Sequence, residues 1–125
     1  MNKEYIKLNE DVIQDTFTRL IWQQSGSPDF LTFKEAEDYI KKLNKNKYAG
    51  FNNWRLPSLK EVLSIVKEEK NKEGLYIDDI FDSKQYWIWT SEKQSSVGAW
   101  VVTFHVKFLE ATRVWGDLSY VRAVR

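Results

Sequence analysis

Cysteine is missing from all 125 residues. That removes disulfides, thiolate metal sites, cysteine nucleophiles and thiol redox chemistry together. Histidine occurs once, at His105, so neither a histidine metal cluster nor a Ser-His-Asp triad with a spare partner can be assembled. Charge of one sign is also lacking. Nineteen Lys+Arg face 18 Asp+Glu, a formal +1, which is too small a field to hold nucleic acid or an anionic membrane. No apolar run approaches the ~18 residues of a membrane-spanning helix, and MNKEYIKLNEDV has no apolar signal core. The chain as given is expected to be soluble, with no membrane insertion; the cell surface or periplasm is its place if an export signal once preceded it.

Aromatic residues, by contrast, are in surplus. Six Trp, six Tyr and seven Phe make up 15% of the chain, more than packing requires, and the excess is a first hint of recognition. The length predicts a single domain over residues 1–125, large enough to bury a core.

Residues 4–24 show short alternating runs, which predict a β-hairpin with Leu20 and Trp22 on one face. SGSPD reads as a loop. Thr32 and Glu35 form a capping box ahead of a helix whose stripe is Phe33, Ala36, Ile40 and Leu43. A second box, Ser58 with Glu61, opens a helix carrying Leu59, Val62, Leu63 and Val66, expected to fade through KEEKNKEG to Gly74. The charged run reads as solvated surface. From Tyr86 the period becomes two, with Trp100, Val102, Phe104 and Val106 on one face of a strand. Two helices followed by a β-rich half predict an α+β fold.

The segment WRLPS, residues 54–58, joins these halves. Proline biases Leu56 toward an extended conformation, so side chains alternate there. Trp54 and Leu56 are expected to enter the core together, while Arg55 turns away to a carboxylate or carbonyls. This predicts a corner that locks helix to sheet, with Arg55 a brace and not an anion ligand.

The run AGFNNWRLPSLKEVLSI resembles the signature of the Lcl C-terminal domain family, named for the end domain of a bacterial collagen-like adhesin. DTFTRLIWQ, TFKEAEDYIKKLN, IDDIFDSKQYWIWTS, AWVVTF and YVRAVR follow in the family's order. The resemblance implies membership of the C-type-lectin-like, formylglycine-generating-enzyme superfamily. It also implies two helices packed on small antiparallel β-sheets, with adjacent termini. Three positions depart from the family pattern: Arg19 replaces a turn glycine, Ala123 a common cysteine, and Ile88-Trp89 a Ser-Ser pair. The catalytic members work through cysteines, so their oxidase chemistry is not inherited. The calcium-lectin tripeptides Glu-Pro-Asn and Gln-Pro-Asp do not occur either.

Among candidate groups, Asp78, Asp79 and Asp82 cluster in IDDIFD. They lack the spaced, glycine-containing calcium loop and read as turn or cap residues; no metal and no cofactor are expected. Trp22, Trp54, Trp87 and Trp100 read as core. Trp89 and Trp115 occupy polar-flanked positions, and in RVWGD the sequence sets Arg113, Trp115 and Asp117 together: a fork donor, a flat face and an acceptor. With His105, these five residues are the expected ligand contacts of a non-enzymatic module for a glycan, polyanion or protein partner. Lys107, Arg113, Arg122 and Arg125 against Glu110 and Asp117 give residues 97–125 a local +2, the reason to include polyanions. Two other readings stay open. One is a small hydrolase or lyase using Asp82, Glu92, His105 or Asp117; the other is an oligomerisation or capping domain whose aromatics form an interface.

Overall fold

The computed structural model describes residues 4–95, 98–105, 112–113 and 118–125. Strands β1 (Tyr5–Lys7), β2 (Val12–Asp15) and β3 (Ile21–Gln23) form one antiparallel sheet in chain order. The expected hairpin is therefore a three-stranded meander, with Ile13 opposite Trp22. Leu20 and Trp22 do pack into one cluster. Arg19 sits at φ 69° and donates its N–H to the Asp15 carbonyl at 2.8 Å. The β2–β3 turn requires a left-handed residue there, which explains the family's glycine at this position.

Helix α1 (Phe33–Lys45) begins at the predicted box: the Thr32 hydroxyl accepts from Glu35 N–H, and the Glu35 carboxylate accepts from Thr32 N–H. Phe33, Ala36 and Leu43 are buried, with Ile40 packed beside them. Helix α2 (Leu59–Leu63) has the same box through Ser58 and Glu61 but stops far short of Gly74. The Ser64 hydroxyl donates to the Glu61 carbonyl at 2.6 Å, and Ile65 and Val66 then bond three residues back, to Val62 and Leu63. The tightened turn rotates the stripe, so that Leu63 is 41% exposed and Ile65 only 1%. Gly74, at φ 81°, belongs instead to a separate turn held by the Asn71 side chain.

The second sheet orders β4 (Trp87–Ser95), β5 (Gly98–Thr103) and β6 (Thr112–Arg113), all antiparallel. Two helices and two antiparallel sheets make this an α+β protein. Alternate residues along its strands enter two different hydrophobic clusters. Val12, Ile21, Trp89, Val101 and Val121 face one, while Ile13, Trp22, Ile88, Val102 and Tyr120 face the other. Val102 and Phe104 share a face as predicted, and the opposite face, with Ala99 and Val101, is buried too. A strand covered on both sides reads as a continuous apolar run, which is how WVVTF appears in the sequence.

Residues 119–125 tie the parts together. Main-chain bonds join Ser119 to Leu31, Tyr120 to Trp87 and Trp89, Val121 to Ser27, Ala123 to Gln23, Val124 to Arg55 and Arg125 to Ile21. Gly26 lets the 25–29 loop approach this segment, because a Cβ there would lie 2.0 Å from the Val121 carbonyl oxygen.

The WRLPS corner matches its prediction. Trp54 and Leu56 enter the same cluster, and Asn44 of α1 clamps Trp54, accepting from its N–H at 2.6 Å and donating to its carbonyl at 2.9 Å. Arg55 pairs with Glu61 through two bonds of 2.6 and 2.7 Å. The Arg55 fork and the Ser58 N–H hold the Glu61 carboxyl below its ordinary range. The Pro57 carbonyl accepts from Ser91 N–H of β4 at 2.8 Å. Both helices, the terminal segment and the second sheet thus converge on five residues.

Candidate functional site

Of the five expected contacts, Trp89 requires correction. It is 0% exposed, stacked edge-on against Phe33 at 5.2 Å, and its indole N–H donates to the Leu31 carbonyl at 2.9 Å. Strand alternation puts it on the same face as the half-buried Trp87, and the Leu31 carbonyl satisfies the polar end of its indole. His105 is exposed. Arg113 pairs by its backbone with Trp100, while its side chain, Trp115, Asp117 and Val106 lie outside the described residues.

His105 is not isolated. Its imidazole meets Tyr86 edge-on at 4.9 Å. Tyr86 in turn meets Phe30 at 6.3 Å and Tyr120 at 5.8 Å, and Phe30 lies over Tyr120 at 4.3 Å. Four rings from four chain segments form one patch. Main-chain bonds fix those segments: Phe104 N–H to the Tyr86 carbonyl, Tyr120 N–H to the Trp87 carbonyl, and a reciprocal pair between Leu31 and Ser119. Tyr120 is the buried base, Tyr86 is half-buried and Phe30 is 41% exposed, with Leu118 exposed one residue before Ser119. Phe30 and Tyr86 were not among the expected contacts. Sequence pattern marks each as an ordinary apolar residue, and only the pairing of residues 30–31 with 119–120 brings them together.

Arg122 also departs from expectation. It is fully buried, donating to the carbonyls of Gln23, Gln24 and Asp82 with its guanidinium 4.9 Å from the Phe81 ring centre. Burial pushes its pKa down to about 9, so it stays cationic at neutral pH, but it offers nothing to an outside anion. Arg125 lies over Phe51 at 3.9 Å and bonds Asn53. The local positive charge read from residues 97–125 is therefore partly spent on structure.

Asp78 and Asp82 take the turn roles predicted for them. The Asp78 carboxylate accepts from Ile80 N–H, and that of Asp82 from Lys84 N–H. Among the described residues no group of three or more His, Cys, Asp or Glu side chains is placed to hold a metal ion, and no helix is long and apolar enough to cross a membrane.

Apart from the patch, a concavity of about 490 Å³ lies between the 27–31 loop, the C-terminal half of α1 and a short 3₁₀ turn at Tyr48–Gly50. The profile of the Lcl C-terminal domain family matches residues 11–125, so it covers both this cleft and the aromatic patch. Comparison with curated proteins finds no match.

Proposed function

We propose, from the premise that this chain belongs to the Lcl C-terminal domain family, that it is a non-enzymatic recognition module whose C-type-lectin-like scaffold presents an aromatic surface to a glycan. The observation that carries this reading is the Phe30–Tyr86–His105 patch over Tyr120. Flat rings stack against the C–H face of a sugar, while the imidazole and the phenol offer hydrogen bonds at the rim. Because main-chain pairing already fixes the segments that bear the rings, little conformational entropy is lost on binding, and each ring contributes on the order of 1 kcal/mol beyond area burial. Affinity at one site is then weak, and several copies displayed together supply avidity.

The test is a glycan array, with a set of polyanions beside it, probed with the intact chain and with Tyr86→Ala and His105→Ala. Neutral glycans are expected to bind, and each variant to bind about fivefold less, the equivalent of ~1 kcal/mol. No glycan binding by the wild type, or undiminished binding by both variants, refutes the reading. Binding to polyanions alone, erased by moderate salt, would replace ring stacking by charge as the mode.

A further inference from the structure

The cleft between the 27–31 loop and α1 shares no side chain with the aromatic patch, and its chemistry differs. We propose that it is a second binding site, for a small molecule that combines a flat ring with a carboxylate.

Its volume of about 490 Å³ falls in the ~300–1,000 Å³ range of small-molecule sites. The floor is one face of α1, where Tyr39, Lys42, Leu43 and Asn46 follow the helical repeat. Pro28, Leu31, Tyr48 and Ala49 complete the lining. This mostly apolar concavity, lined by two phenols, suits a ring one or two six-membered cycles wide.

Charge selects the ligand's polar end. Lys42 and Lys47 border the cleft against a single carboxylate, Asp29. The last turn of a helix ordinarily repels anions through its free carbonyls. Here those of Lys42 and Asn44 are taken up by the N–H groups of Asn46 and Lys47, and the two lysines add positive charge at the rim. Tyr39 adds direction. Its oxygen accepts from the Gln23 side-chain amide at 2.9 Å, and Gln23 is itself held by Ala123 N–H at 2.8 Å. That bond does not use the phenol proton, which can be donated to a ligand oxygen. Burial raises the pKa of both Tyr39 and Tyr48, so both remain donors at neutral pH.

Lys47 and Ala49 are left-handed, at φ 50° and 52°, a conformation non-glycine residues adopt at a cost. The strain turns the chain so that these two residues line the cleft.

The experiment uses the intact chain, titrated with 4-hydroxybenzoate and with its uncharged counterpart 4-hydroxybenzamide, followed by amide chemical shifts and calorimetry. The acid is expected to bind with a Kd of about 1 mM or tighter, moving the amide signals of Tyr39, Asn46 and Ala49. The benzamide should bind about fivefold more weakly, as should the acid to the double variant Lys42→Gln/Lys47→Asn. Asparagine tolerates the left-handed position, so the variant's unfolding midpoint should hold. Asp29→Asn should tighten the acid, and Tyr86→Ala should leave it unchanged. Absence of acid-induced shifts at those amides, equal binding of acid and benzamide, or undiminished acid binding by the double variant overturns the proposal.

Discussion

The corner at residues 54–58 and the patch around Tyr86 are both rich in aromatic and polar side chains, yet they spend them differently. At the corner, Trp54 is held by Asn44 through both main-chain groups, its indole N–H donates to the Tyr48 carbonyl, and Arg55 is matched by the two oxygens of Glu61. Its hydrogen-bonding capacity is turned inward. At the patch, main-chain bonds anchor the segments, but His105 and Phe30 keep open faces. A frame that satisfies itself in one place can leave rings unsatisfied in another, and recognition is sought where satisfaction stops.

The contrast can be broken by substitutions on either side. The largest effect is expected from Gly26→Ala, whose new Cβ would collide with the Val121 carbonyl oxygen. Urea unfolding should show a loss of more than about 3 kcal/mol; a loss under 1 would mean that the loop is not bound tightly to the terminal segment. Asn44→Ala strips Trp54 N–H and carbonyl of their partners and should cost about 2 kcal/mol.

Glu61→Gln should cost about 1 kcal/mol at neutral pH, by weakening the fork to Arg55 and the helix box. Its folded pKa lies below the ordinary 4.5, so the carboxylate's contribution is fully present above that value. It is lost as pH falls through the folded pKa, and wild type and variant should converge on the acid side. Acid titrations of both proteins, followed by circular dichroism, check the sign. The smallest effect is expected from His105→Ala, within about 0.5 kcal/mol in stability, although glycan binding should fall. A His105→Ala loss as large as that of Asn44→Ala would erase the distinction between frame and patch.

Much of the frame was legible because its signals are local. Both capping boxes lie within four residues, Leu56 is fixed by the proline that follows it, and Arg55 needed only the alternation of an extended strand to be sent away from Trp54. What was misread depends on distant partners. Trp89 looks open in the sequence because Thr90, Ser91 and Glu92 follow it, but the Leu31 carbonyl, 58 residues away, receives its N–H. Arg122 counts as surface charge in the sequence, but three carbonyls from two distant segments enclose it. Helix α2 ended early because a serine hydroxyl captured a carbonyl, a competition that hydrophobic periodicity does not register. Neither the ring patch nor the cleft has a sequence signature, since each is assembled from segments that meet only in the folded chain.

The position of residues 119–125 has a consequence for biosynthesis. This strip fills the open edge of β3, reaches Arg55 on its other side, and supplies Val121 to one cluster and Val124 to the other. A ribosome delivers it after every element it must join, so those elements wait with an unpaired edge and incomplete apolar faces until it emerges. A product ending at residue 118 should therefore associate through that edge, and a synthetic heptapeptide of the missing strip, added in trans, should suppress the association.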